Sequence, residues 1–76
     1  MEKFTLVQKY NEGHGILSKT KTGRIVEIEA KNLRSAKLAF TSKYGFVMGE
    51  ILDETGYCVA YRDGNIFTGR YSWSSI

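Results

Sequence analysis

The chain has 76 residues, enough for a single small domain with one hydrophobic core. Eleven Lys and Arg residues against eight Asp and Glu residues give a formal net charge of +3, which permits an anionic partner without identifying one. No apolar run approaches the roughly 20 residues that cross a bilayer, the start of the chain lacks a signal-peptide centre, and the lone Cys58 suits a reducing compartment. We therefore expect a cytoplasmic protein.

The first part of the chain predicts two strands. Residues 3–10 alternate apolar and polar side chains, as a half-buried strand does, and residues 11–15 form a Gly-rich turn. Residues 16–23 fit either a short strand with a tight turn or a mobile hairpin tip, and we interpret them as a long basic loop. Alternation returns over residues 24–30, which we predict to be the second strand.

A helix is predicted next, because Asn32 is a good N-cap and Gly45 can end the helix in the left-handed conformation. One apolar stripe at helical spacing comprises Leu33, Ala36, Phe40 and Tyr44. Arg34 and Leu38 fall on the opposite side of this helix. The helix is therefore expected to pack on a sheet and to expose a partly basic face.

The last part of the chain predicts three strands, at residues 46–52, 57–62 and 66–71. Short connections separate them, and Asp63-Gly64 is a strong hairpin-turn signal. Residues 72–76 show no clear pattern and are expected to be an irregular tail in which Trp73 covers a sheet edge. Residues 1–76 are thus predicted to form a single α+β domain, an antiparallel sheet of about five strands with one helix in the order β-β-α-β-β-β.

Residues suited to catalysis are few. His14 lies in a Gly-rich turn, where we interpret it as a solvated loop residue, and it lacks the further ligands that a zinc site needs. Cys58 has no neighbouring cation in sequence to activate it, so we interpret it as a small, partly buried strand residue. We expect neither an enzyme nor a metal or other cofactor.

The cations and aromatic residues point instead to binding. A basic face of this kind meets phosphates or acidic protein patches, and a tyrosine at the end of a helix is a common interface anchor. Leu38, next to cations, fits the apolar centre of such a patch. The predicted partner-binding residues are Arg34, Lys37, Leu38, Lys43, Tyr44 and Arg62.

Several residues between positions 28 and 65 carry a resemblance to a known family. They are Ile28-Glu29-Ala30, Leu33, Ala36-Lys37, Phe46, Glu54-Thr55 and Ala60-Tyr61-Arg62-Asp63-Gly64. In this order and spacing they resemble the ninth-numbered family of type I-F anti-CRISPR proteins, which phages and mobile elements encode. The resemblance implies a compact sheet with one helix that binds the guide-RNA-holding backbone subunits of the surveillance complex and prevents hybridisation with target DNA. It also implies that the inhibited complex can bind duplex DNA non-specifically.

The resemblance assigns roles to individual positions. Lys37 matches the basic residue after the helix alanine, and Arg62 matches the basic residue after Ala-Tyr. Lys43 and Tyr44 lie where the family has polar contact residues. Leu38 replaces a basic residue, which weakens the expectation of DNA contact more than the expectation of protein binding.

Two other functions fit the same residues. A small basic nucleic-acid-binding module would use these cations on phosphates and would bind without a partner protein. A phage protein that binds a different host protein would use the same surface on another target. The net positive charge argues against mimicry of DNA in each case.

Overall fold

The computed structural model describes residues 1–13, 15–65 and 67–75. Its elements are β1 (Glu2–Glu12), a 3-10 turn (Gly15–Leu17), β2 (Lys19–Ala30), α1 (Leu33–Leu38), a π-helical turn (Ala39–Lys43), β3 (Met48–Leu52), β4 (Cys58–Asn65) and β5 (Arg70–Ser75). The strands form one antiparallel sheet in the order β2-β1-β3-β4-β5. The predicted α+β class and the order β-β-α-β-β-β are confirmed.

The helical segment covers one face of the sheet and closes the core. Leu6 on β1, Ile51 on β3 and Ala60 on β4 stand side by side in register, and all three are fully buried. Phe40 from the helical segment is also fully buried against them. The other face of the sheet has no helix over it among the described residues.

The first hairpin is longer than the sequence pattern predicts, and the long basic loop predicted at residues 16–23 is wrong from Lys19 onward. Lys19 pairs with Glu12 and Thr22 pairs with Lys9, so this segment is the beginning of β2. Lys9 Nζ donates a hydrogen bond to Thr22 Oγ1 at 2.7 Å. Both faces of this part of β2 are polar, so the strand has no apolar alternation and depends on its pairing with β1.

The helical segment begins as predicted. The Asn32 side chain accepts a hydrogen bond from the Ser35 backbone N–H at 2.9 Å, as an N-cap does. The second half widens, because the Tyr44 N–H donates to the Ala39 carbonyl five residues earlier at 3.0 Å. Gly45 then turns the chain out of the helix with φ +68°, as expected. In the described part of the chain no helix has the length and apolar character needed to cross a membrane.

The last hairpin turns later than predicted. Asp63 and Gly64 lie inside β4, where they pair with Ser72 and Tyr71, and the turn occupies residues 67–69. A side chain at position 64 would overlap the Arg70 carbonyl oxygen and come within 2.8 Å of the Tyr71 ring. Glycine is therefore needed here for close strand approach and not for a turn.

The irregular tail predicted at residues 72–76 is also wrong, because residues 72–75 belong to β5. Trp73 lies on this edge strand, half-buried, and packs against the core. The predicted strand at residues 66–71 begins instead at Arg70, and Ile66 and Ile76 lie outside the described residues.

Candidate functional site

Charged side chains are distributed unevenly between the two faces of the sheet. Side chains alternate between the two faces along each strand. Val7, Glu50 and Tyr61 adjoin the buried residues Leu6, Ile51 and Ala60 in sequence, so they point to the uncovered side of the sheet. In the described parts of β2, β3 and β4, the carboxylates all lie on this uncovered side; they are Glu27, Glu29, Glu50 and Asp63. The cations Arg24 and Arg62 from the same strands lie on the helix side. Along these three strands the fold therefore places the carboxylates and the two arginines on opposite sides of the sheet.

The helical segment adds cations to its own side. From Lys31 to Gly49 the chain contains no Asp or Glu, whereas it contains Lys31, Arg34, Lys37 and Lys43. We call the cations on this side the basic helix surface; it comprises Arg24, Arg34, Lys37, Lys43 and Arg62. With no carboxylate in the helical segment to neutralise it, this surface favours anionic partners.

One half of the basic helix surface lies between the helix and β5. Arg34, Lys37 and Leu38 line a shallow groove of about 360 Å³ together with Trp73. The Lys37 ammonium lies 5.5 Å from the centre of the Trp73 ring, within cation–π distance. Leu38 is 64% exposed, so the groove combines two cations with an accessible apolar side chain. This combination is typical of a protein-binding patch.

Arg62 extends this half across the sheet, because it pairs with Trp73 on the adjacent strand. Its Nη1 donates a hydrogen bond to the Val47 carbonyl oxygen at 2.7 Å, and its guanidinium lies 5.7 Å from the centre of the Tyr71 ring. These contacts fix the side chain before a partner arrives. A held guanidinium loses less conformational freedom on binding than an unrestrained one.

The other half lies between the helix and β2. The Lys43 ammonium is 5.5 Å from the centre of the Tyr44 ring. The Arg24 guanidinium is 5.8 Å from the same ring and 5.9 Å from the Phe46 ring. Tyr44 is half-buried against the core, so it is a rigid aromatic support for two cations.

The six predicted partner-binding residues all belong to the helix side, in two groups. Arg34, Lys37 and Leu38 share the groove, with Arg62 beside it, and Lys43 and Tyr44 lie together on the other half. Neither Trp73 nor Arg24 was among the residues predicted for this surface. Both had a signal, because Arg24 continues the inward positions of Val26 and Ile28, and Trp73 alternates with serines.

Within the described chain, the groups suited to chemistry do not assemble into a centre. In residues 1–13, 15–65 and 67–75, no three His, Cys, Asp or Glu side chains come together as metal ligands. Burial raises the pKa of the Cys58 thiol, and the charge of Glu50 raises it further, so the thiol is held in its less reactive protonated form. The Asp53 carboxylate accepts hydrogen bonds from the Thr55 hydroxyl and nearby backbone N–H groups, and these bonds lower its pKa. The same hydrogen bonds stabilise the turn that contains Asp53. The prediction for His14 falls outside the described residues.

Comparison of the chain with models of protein families, with curated proteins and with solved structures found no match. Its function is therefore inferred from its own residues and their geometry.

Proposed function

We propose that this protein is an anti-CRISPR inhibitor that binds the guide-RNA-holding backbone subunits of a type I-F surveillance complex and blocks hybridisation with target DNA by occupying that site. One observation carries the proposal: the fold collects cations on the helix side, with the exposed Leu38 among them. The resemblance over residues 28–65 supplies the identity of the partner. The proposal places the protein in a bacterial cytoplasm, encoded by a phage or a mobile element.

Inhibition by occupancy requires surface and not chemistry. A stable contact buries about 1,200 to 2,000 Å² in total, and complementary charge speeds the encounter and fixes the orientation. The two halves of the basic helix surface flank the helix, so a partner that contacts both also covers the helix between them. In this proposal, inhibition follows from coverage of the partner's surface and requires no catalytic group.

Individual residues have distinct roles in this proposal. Lys37, Lys43 and Arg62 make charged contacts with acidic side chains or with phosphates of the complex, and Arg34 adds to them. Leu38 and Tyr44 supply apolar anchors. Arg62 and Tyr44 are already held by neighbouring groups, so they bind with a small entropic cost.

A direct nucleic-acid-binding module is the second candidate, and the same segregation of cations favours it. In that case the isolated protein would bind duplex or single-stranded DNA, and the affinity would fall steeply with added salt, because bound counterions are released from the phosphates. A related proposal is that the inhibited complex binds duplex DNA non-specifically, with Lys37 and Arg62 of this protein in contact with the phosphates.

A gel shift with purified components separates these functions. Target DNA is incubated with a type I-F surveillance complex, with this protein and with both, and a scrambled duplex of equal length runs in parallel. The proposal predicts loss of the specific target shift when both proteins are present and no shift with this protein alone. A shift with the protein alone supports the nucleic-acid-binding module, whereas an unaffected complex contradicts the anti-CRISPR proposal and leaves a different host protein as the target.

A further inference from the structure

The sheet has a gap at the end that carries its two longest hairpins. Strand β3 begins at Met48, which pairs with Lys9, whereas β1 continues to Glu12 and β4 continues to Asn65. Within the described chain, β3 supplies no partner for residues 10–12 of β1 or for residues 63–65 of β4. Both strands are neighbours of β3, so their ends lie two strand spacings apart, about 10 Å, with room for one strand between them.

This gap is a cleft of about 570 Å³, a size typical of ligand sites. Val47 and Met48 form its floor, where the chain enters β3. Tyr10 lines it from β1, and Phe67 and Tyr71 line it from the last hairpin. The cleft is therefore apolar at its base, and the edge of β1 lines it on one side, opposite Phe67 and Tyr71 of the last hairpin.

We propose that this cleft, which we call the strand slot, binds an extended acidic segment of another protein as an added strand in line with β3. Unpaired N–H and C=O groups along a strand edge are a template for such a segment, and here two edges are available at once. Alternate side chains of the added strand reach the aromatic residues on one side of the sheet.

The charges around the strand slot select the occupant. The β1–β2 hairpin and the β4–β5 hairpin form the two arms of the slot, and they carry more cations than carboxylates. The cations are Lys9, Lys19, Lys21 and Arg70, and the carboxylates are Glu12 and Asp63. An acidic segment therefore complements the arms, whereas a basic segment is repelled. No residue of the basic helix surface lines the slot itself, and Arg62 reaches it only through its contacts with Val47 and Tyr71. The proposal for the slot does not rest on the function proposed for the basic helix surface.

The test titrates the full-length protein with a short acetylated peptide in which glutamate alternates with valine and tyrosine, followed by backbone amide NMR. The same peptide with N-methylated backbone amides is the first control, because it keeps the side chains and removes the pairing donors. We expect saturable shifts confined to residues 10–12, 47–48 and 63–65 with the first peptide, and loss of binding with the second. Equal binding of both peptides, no binding of the first, or shifts confined to the basic helix surface would overturn the proposal.

Two matched variants test the charge argument. Lys21→Glu with Arg70→Glu reverses one cation on each hairpin, whereas Lys3→Glu with Lys31→Glu makes the same change of charge away from the slot. We expect the first variant to bind the peptide about tenfold or more weakly and the second to bind as the wild type does. Dispersed amide spectra of both variants verify folding, and equal weakening in both would show that net charge alone attracts the peptide.

Discussion

Phe40 and Trp73 meet edge to face, with their ring centres 5.0 Å apart and their planes at 67°. Phe40 is a fully buried side chain of the helical segment, and Trp73 comes from the last strand. The contact joins the helix to the edge of the sheet. It also places Trp73 where Lys37 lies over its ring, so the same residue supports the core and the basic helix surface.

Replacement of Trp73 is expected to destabilise the protein. Trp73→Ala removes a large aromatic side chain that packs against the core, and we expect the free energy of unfolding to fall by about 3 kcal/mol. Urea denaturation followed by circular dichroism measures this change. Tyr57→Ala is the matched control, because Tyr57 is 76% exposed and its loss is expected to change stability by less than about 0.5 kcal/mol. Equal effects of the two substitutions would contradict the packing role of Trp73.

Two glycines predict different responses to alanine. At Gly49 an added Cβ would overlap the Val7 carbonyl oxygen and lie 3.0 Å from the Phe40 ring, with φ at +153°. At Gly45, with φ +68°, the added Cβ would meet nothing within 4 Å. We expect Gly49→Ala to cost about 3 kcal/mol or more and Gly45→Ala about 1 kcal/mol, as measured by thermal or urea unfolding. A larger loss of stability in Gly45→Ala than in Gly49→Ala would contradict the close approach of β3 to β1 at Gly49.

The helix cap predicts a smaller effect. Asn32→Ala removes the acceptor of the Ser35 N–H and is expected to cost about 1 kcal/mol, whereas Asn32→Asp keeps an acceptor and is expected to restore most of it. Ser42→Ala, an exposed change in the same segment, serves as the control. Urea denaturation compares the four proteins. A full loss in Asn32→Asp would contradict the assignment of the side chain as a cap.

The raised pKa of the Cys58 thiol predicts that the stability of the protein and the alkylation of this thiol depend on pH. Burial and the charge of Glu50 raise its pKa in the folded protein. The unfolded chain therefore loses the thiol proton at a lower pH than the folded chain, so the free energy of unfolding falls as the pH rises past the ordinary thiol pKa. Alkylation of the native protein should require a higher pH than alkylation of the unfolded chain, and Glu50→Gln should shift the native profile to lower pH. No shift in Glu50→Gln, with Glu29→Gln as the control, would remove Glu50 as a cause.

Local signals in the sequence predicted much of the fold. Asn32 and Gly45 mark the ends of the helical segment, and apolar alternation identifies the core part of each of the first two strands. The beginning of β2 lacked such a signal, because its threonines and lysines are stabilised by pairing with a strand far away in the sequence. Sequence patterns report burial better than they report pairing between polar strands.

The position of the last turn shows how packing can override a local signal. Asp63-Gly64 favours a turn, yet a turn there would move Trp73 out of register with Arg62. Since Trp73 packs on Phe40, the longer hairpin buries more apolar surface. The candidate site followed the same rule: its helix residues were predicted from helical spacing, whereas the contribution of Trp73 depended on a strand that the sequence pattern had left irregular.

We expect partner binding to depend on the basic helix surface and not on the net charge of the protein. Two triple variants test it by measuring the affinity of immobilised protein for a type I-F surveillance complex. The first variant removes three positive charges from the basic helix surface and combines Lys37→Gln, Lys43→Gln and Arg62→Gln. The second removes the charges of the same number of lysines and arginines on the uncovered side of the sheet and combines Lys3→Gln, Lys9→Gln and Arg70→Gln. Each variant lowers the formal net charge from +3 to 3 − 3 = 0. We predict that the first variant binds about 100-fold more weakly than the wild type and that the second binds nearly as the wild type does; equal affinities of the two variants would contradict the account.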